Sequence, residues 1–176
     1  MLPERFDTDR LILRPIASGD APAIFTGYAQ DPEVVRYLTW RPHQQLAETE
    51  AYVSRCLAAP AARSRTYALV DRAEGRLLGA FDLRRPEPHR IDCGYVLARS
   101  FWRRGLMTEA LAAAARWAMA EPDIWRLGAV CDTENLASAR VMEKAGLARE
   151  GVLRRWLVHP NLGPEPRDCL SYALTR

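Results

Sequence analysis

At 176 residues, 48% of them apolar, the chain can bury a core without disulfide or metal support, and we read residues 1–176 as a single domain. Its 25 basic and 22 acidic side chains leave a net charge of only +3, scattered rather than run together, which gives nucleic-acid binding little support. Four cysteines (Cys56, Cys93, Cys131, Cys169) without a Cys-x-x-Cys argue against zinc and against a secreted disulfide framework, and with no signal-peptide core at the N-terminus the expected location is cytoplasmic.

In chain order, Arg10 to Pro15 reads as a short strand. Ser18 or Asp20 can cap a helix running to Ala29, and Asp31-Pro32 starts a second helix, with proline where a helix tolerates it best. Ala47 to Ala58 is a third helical piece, bounded by Pro60. Arg65 to Val70 and Arg76 to Arg84 are strands joined by a hairpin loop, Asp71 to Gly75, and a fourth strand runs from Ile91 to Leu97. Met107, Ala110, Leu111, Ala114, Trp117 and Ala118 then recur on one helical face, and Pro122 ends that helix. Ile124 to Cys131 is the fifth strand. A helix capped within Asp132 to Asn135 stops at Gly146, and Arg149 to Val158 and Arg167 to Leu174 are two closing strands.

The most informative stretch joins the fourth strand to the long helix: Trp102-Arg103-Arg104-Gly105-Leu106-Met107-Thr108. A helix start exposes unpaired N–H groups and the positive end of the helix dipole, so a basic, glycine-bearing turn there is an anion site. Gly105 lets a phosphate approach the main chain, and Arg99, Arg103 and Arg104 add charge. Neither Gly-x-x-x-x-Gly-Lys-Ser/Thr nor a strand-linked Gly-x-Gly-x-x-Gly occurs, which sets aside a P-loop and a dinucleotide fold.

What remains resembles the Gln/Arg-x-x-Gly-x-Gly/Ala signature of GNAT-superfamily acetyltransferases, with Trp102 and Met107 departing from its first and last positions. Two further blocks carry the likeness. Arg10 to Pro15 with Asp31 to Leu38 is similar to the opening of the RimJ/RimL-like branch, the N-terminal amine acetyltransferases of ribosomal proteins and their relatives. Asn135 to Leu147 is similar to that branch's Asn-x-x-Ser…Glu-Lys-x-Gly-Phe helix, with Leu147 in place of phenylalanine. The resemblance covers about Thr8 to Tyr172. It implies an α/β GNAT fold: a mixed, mostly antiparallel sheet of about seven strands, splayed between the fourth and fifth, flanked by helices.

It also implies acetyl-CoA as co-substrate, an amine acceptor (a protein N-terminus or a small amine), and no metal. Arg103, Arg104, Gly105, Leu106, Met107 and Thr108 would hold the pyrophosphate, and a bulge in the fourth strand would aim main-chain N–H groups of Tyr95, Val96 and Leu97 at the thioester. Asp92 takes the place of a glutamate general base, Asn135 of a pantetheine contact, and Ser138 of the group that protonates the thiolate. Each residue also has a plainer reading: Asp92 paired with Arg90, Asn135 and Ser138 as helix caps. Cys93 and Cys131 raise an acyl-cysteine route, for which no histidine is placed in sequence. His43 and His159, with Tyr37, Trp40 and Trp156, border the acceptor side. A coenzyme-A-binding module with little or no catalysis is the alternative function.

Overall fold

Leu11, Leu13, Tyr67, Leu69, Phe81 and Leu83 alternate with other residues along three strands, which turns them to one face of a sheet. All six have 0% exposure in the computed structural model, which describes residues 1–176. That face is covered by helix α4 (Leu106–Ala120), with Phe6 wedged edge-on between Tyr67 and Trp117 at ring distances of 5.4 and 6.0 Å. Ala110, Leu111, Ala114 and Ala118 of the predicted stripe are buried, and the three alanines let the helix lie close to the sheet. Helix α5 (Leu136–Lys144) packs beside α4. Helices α1 (Ala21–Ile24) and α3 (Leu46–Ala58) cover the opposite face over the buried Thr66, Ala68, Leu78 and Ala80.

The sheet has eight strands, β1 (Phe6–Asp7), β2 (Leu11–Pro15), β3 (Ser64–Asp71), β4 (Leu77–Glu87), β5 (Arg90–Leu97), β6 (Arg126–Asp132), β7 (Ala148–Val158) and β8 (Pro166–Thr175). Their order is β1-β2-β3-β4-β5-β6-β8-β7, antiparallel throughout except for β5 against β6. This is the expected mixed sheet with one strand added, since the two residues of β1 carry no periodicity to read. The first predicted helix is realised in three pieces: a 3-10 turn at Ser18–Asp20, α1, and a wide π turn at Phe25–Ala29. Asp31 caps the single-turn α2 (Pro32–Val35) by accepting from Glu33 N at 3.0 Å. Strand β4 runs on through Pro86 instead of stopping at Arg84. Its register with β5 jumps there from Arg84↔Asp92 to Glu87↔Arg90, and an unpaired bulge position needs no N–H. Strand β6 begins at Arg126 rather than Ile124, because Trp125 N already bonds His89 O at 2.9 Å outside the ladder.

The fourth and fifth strands read from sequence are β5 and β6, and they pair at only three positions: Arg90↔Arg126, Ile91↔Leu127 and Asp92↔Gly128. From Cys93 onward β5 is held by β4 alone and β6 by β8 alone. A slot opens between them, with the N-termini of α4 and α5 at its wide end.

Candidate active site

The loop before α4 owes its shape to two left-handed residues, Arg103 (φ 62°) and Gly105 (φ 74°), either side of Arg104. Gly105 is the N-cap and contributes no side-chain cap, so the first turn of α4 is left open. The main-chain N–H groups from Arg103 to Thr108 find no acceptor in the protein; the first bonded one is Glu109 N, on Gly105 O at 3.0 Å. Glu109 ties this loop down: its carboxylate accepts from Thr8 Oγ1 (2.6 Å), Arg10 N (2.9 Å) and Arg10 Nε (2.6 Å). Arg10 in turn donates to Arg104 O at 2.9 Å. The two departures from the signature are explained by where their side chains go. Met107 is buried in the core at 5% exposure, so only its N–H faces the loop. Trp102 donates from its indole to Leu97 O at 2.7 Å, fixing the end of β5 to the loop. A groove of about 320 Å³ beside the loop is lined by Arg10, Arg72, Arg104 and Phe101, with Asp9 and Asp71 also on its walls.

The expected bulge in the fourth strand is not formed: β5 keeps unbroken register with β4 from Asp92↔Arg84 to Leu97↔Gly79. Ala98 N bonds Leu78 O at 2.9 Å, so alternation turns the main-chain groups of Val96 toward β4 and those of Tyr95 and Leu97 toward the slot. The sequence-based placement of all three N–H groups in the slot is thereby corrected for Val96, since a regular strand cannot aim consecutive N–H groups one way. Where Val96 turns to β4 it meets Gly79 closely; a Cβ at Gly79 would lie 2.1 Å from Val96 O. Across the slot, the Tyr95 hydroxyl reaches Ser138 Oγ at 2.9 Å and Ser138 O at 3.3 Å. Burial pushes the Tyr95 phenol up, so it stays protonated. Asn135 caps α5 by accepting from Ser138 N at 3.2 Å, and its amide nitrogen has no protein partner.

Asp92 projects from the other face of β5, beside the place where the pairing with β6 ends. Its Oδ1 lies 3.5 Å from the Cβ position of Gly128 and 3.5 Å from Arg90 Nε, and its side chain is 37% exposed. A side chain at Gly94 would meet only Arg84 nitrogens, at 3.6 Å. Asp92, Asn135, Ser138 and Tyr95 therefore border one slot, with Asp92 on one face of the sheet and the others on the opposite face.

The histidines and thiols behave as packing groups. His43 Nδ1 contacts Thr49 Oγ1 at 2.7 Å and its ring leans on Trp40, while His159 is buried 3.7 Å from Asp132. Trp156 is 55% exposed on β7. Burial pushes the Cys93 and Cys131 thiols up to about 12. Sequence reasoning missed Gly79, the side-chain role of Tyr95, and Arg167, which grips the buried Asp132 at 2.6 Å. Only the Asp-Thr-Glu-Asn turn run hinted at the last.

Three carboxylates around these elements, Asp20, Glu109 and Asp132, sit below their ordinary range. Burial acts to raise each, and hydrogen bonds from Arg14, Thr8 and Arg167 respectively, with nearby N–H groups, outweigh it. A depressed folded value gives stability that is complete above the unfolded carboxylate range near pH 4 and is lost as pH falls through the lower folded values. Thermal scans should show a midpoint that holds from pH 7 to about 5 and drops steeply below about 4. A midpoint insensitive to pH down to 3 would remove these three pairs from the account of stability.

Compared with known proteins, the chain matches the acetyltransferase (GNAT) domain model over residues 10–148. It is 30% identical over 173 residues to the uncharacterized N-acetyltransferase YoaA of Bacillus subtilis (strain 168), covering 97% of this chain and 96% of that one. It superimposes on a GNAT-family acetyltransferase from Bacillus anthracis with a TM-score of 0.85 at 26% identity, over 97% and 98% of the two chains. RimL, a ribosomal L7/L12 α-N-protein acetyltransferase solved with coenzyme A, gives a TM-score of 0.81 over 99% and 97%, and at 22% identity that likeness speaks for the fold alone.

Proposed function

The chain belongs to the GNAT acetyltransferase family, and from that premise we propose that it moves an acetyl group from acetyl-CoA to a primary amine, by direct attack in a ternary complex. The observation that carries this is the run of unpartnered N–H groups from Arg103 to Thr108 on a glycine-punctuated helix start. Such a run suits a pyrophosphate, and the groove beside it, where Arg10, Arg72 and Arg104 outnumber Asp9 and Asp71, suits the nucleotide end. Pantetheine then lies in the slot between β5 and β6, with Asn135 donating its free amide to it and the Tyr95 and Leu97 N–H groups facing the thioester.

In the reaction the amine nitrogen attacks the thioester carbonyl carbon, and collapse of the tetrahedral intermediate breaks the C–S bond. Asp92 accepts the amine's proton, through a water because aspartate reaches one methylene less far than glutamate. Ser138 relays a proton to the departing thiolate and takes one back from solvent in the same step, with the Tyr95 hydroxyl at 2.9 Å holding its Oγ in place. The raised thiols of Cys93 and Cys131 favour direct attack over an acyl-cysteine, since a protonated thiol is a poor nucleophile. The acceptor is a protein N-terminus or a small amine, as in the RimJ/RimL-like branch.

Saturating acetyl-CoA, or free coenzyme A, tests the reading. At about a hundred times the dissociation constant it should add roughly 2.7 kcal/mol, raising the midpoint by about 5–10 °C. No shift with either would mean that the loop before α4 is not a working cradle.

A further inference from the structure

Asp132, the last residue of β6, is a carboxylate with 0% exposure, a position that is unfavourable unless the charge is paired and hydrogen-bonded. Arg167 on β8 grips it with two nitrogens, Nε to Oδ2 at 2.6 Å and Nη2 to Oδ1 at 3.2 Å, and reaches Glu134 at 3.0 Å. The residues that follow form a tight, fully bonded turn. Glu134 N bonds Asp132 Oδ1 at 2.9 Å, Asn135 N bonds Asp132 O at 2.9 Å, Leu136 N bonds Glu134 O at 2.9 Å, and Thr133 N bonds Asp168 O at 3.2 Å. Asn135 at the end of this turn has φ −81° and ψ 64°, the inverse γ conformation that the Leu136–Glu134 bond closes. So the direction in which Asn135 and the first turn of α5 point depends on the side chain and carbonyl of Asp132.

We propose that Asp132, locked by Arg167, is the positioning residue that sets Asn135 and Ser138 at the pantetheine end of the slot. This rests on the functional reading above. Asp132 does not touch the slot itself; it acts through the turn. His159, 3.7 Å away with its ring also buried, and Cys169, paired opposite Asp132 on β8, close the site from the side away from the slot. Neither makes a short bond to the carboxylate, so Arg167 is its one strong partner among side chains.

The pantetheine end and the nucleotide end of the coenzyme fall on different elements, and that separation gives the test. Calorimetric titration of Asp132→Asn should show coenzyme A bound about tenfold more weakly, while 3′-phospho-ADP, the same ligand shorn of pantetheine, binds within about twofold of wild type. Arg167→Lys, which keeps a cation beside the buried carboxylate but gives up the two-nitrogen grip, should show the same selective loss and decides the matter if Asp132→Asn does not fold. Equal weakening of both ligands in the folded variants would make the pair merely structural and overturn the proposal, as would unchanged affinity for coenzyme A. Wild-type protein that binds neither ligand would overturn the functional reading, and this inference with it.

Discussion

Asp92→Asn is expected to lower kcat/KM about a hundredfold or more while preserving the thermal shift given by coenzyme A. Positioned bases contribute on the order of 10²–10⁴ to proton-transfer reactions, and an alkyl ammonium cannot attack until its proton is gone. Asp92 sits where β5 and β6 part, with glycines on both sides, Gly94 next along its own face and Gly128 opposite. The space left by those two missing side chains is bordered by the Arg84 guanidinium, 3.6 Å from the Cβ position of Gly94, and by Arg126 Nε, 3.7 Å from that of Gly128, so an amine and a water would reach the carboxylate between the two arginines. Arg90, at 3.5 Å from Oδ1, competes for the same oxygen. The decisive comparison is turnover against coenzyme affinity in one preparation. Wild-type turnover in Asp92→Asn would make Asp92 simply the partner of Arg90. Loss of coenzyme affinity together with turnover would place its role in structure rather than in proton transfer.

Gly79→Ala should be the most damaging conservative change in the sheet. The added Cβ would stand 2.1 Å from Val96 O, 3.0 Å from Leu97 Cα and 3.1 Å from Val96 C. All three atoms are main chain, so no rotamer change relieves the contact, and β4 and β5 must move apart. Overpacking of this kind destabilises by about 2–3 kcal/mol, a fall of roughly 4–12 °C in the midpoint for a domain of this size. The displaced segment also carries the N–H groups of Tyr95 and Leu97 that face the slot, so acetyl-CoA affinity should fall with stability. A midpoint within a degree or two of wild type would show that the strands accommodate the methyl group freely.

What the sequence disclosed was what neighbours along the chain determine. The loop from Trp102 to Thr108, the stripe on α4 and the cap at Asn135 all depend on residues a few positions apart, and each could be read before any fold was known. The π turn at Phe25–Ala29 and the passage of β4 through Pro86 depend on what packs or pairs against them, and local propensity does not carry that information. The same holds for the site. Tyr95 meets Ser138 across 43 residues and Arg167 meets Asp132 across 35, pairings that exist only once the strands are in order. The departures at Trp102 and Met107 look unfavourable in a one-dimensional motif, yet one ring fixes a strand end and the other side chain leaves for the core.

An open sheet of this width has two free edges, and exposed edges are where chains zip together into aggregates. At one end β1 is only two residues long, too short to template a new strand. At the other, β7 is eleven residues long, but its register with β8 jumps between Leu153↔Cys169 and Leu157↔Arg167, and Arg155 within the jump has φ 50°. Its N–H is turned inward to Asp168 Oδ1 at 2.9 Å, while the Arg154 and Arg155 side chains, 78% and 70% exposed, stand out from the kink. An incoming strand would meet a bent ladder and two bulky charged side chains, Arg154 paired with Asp168 and Arg155 with Glu165. The left-handed arginine, unfavourable for its own backbone, thus shields the longer rim of the sheet from edge-to-edge growth.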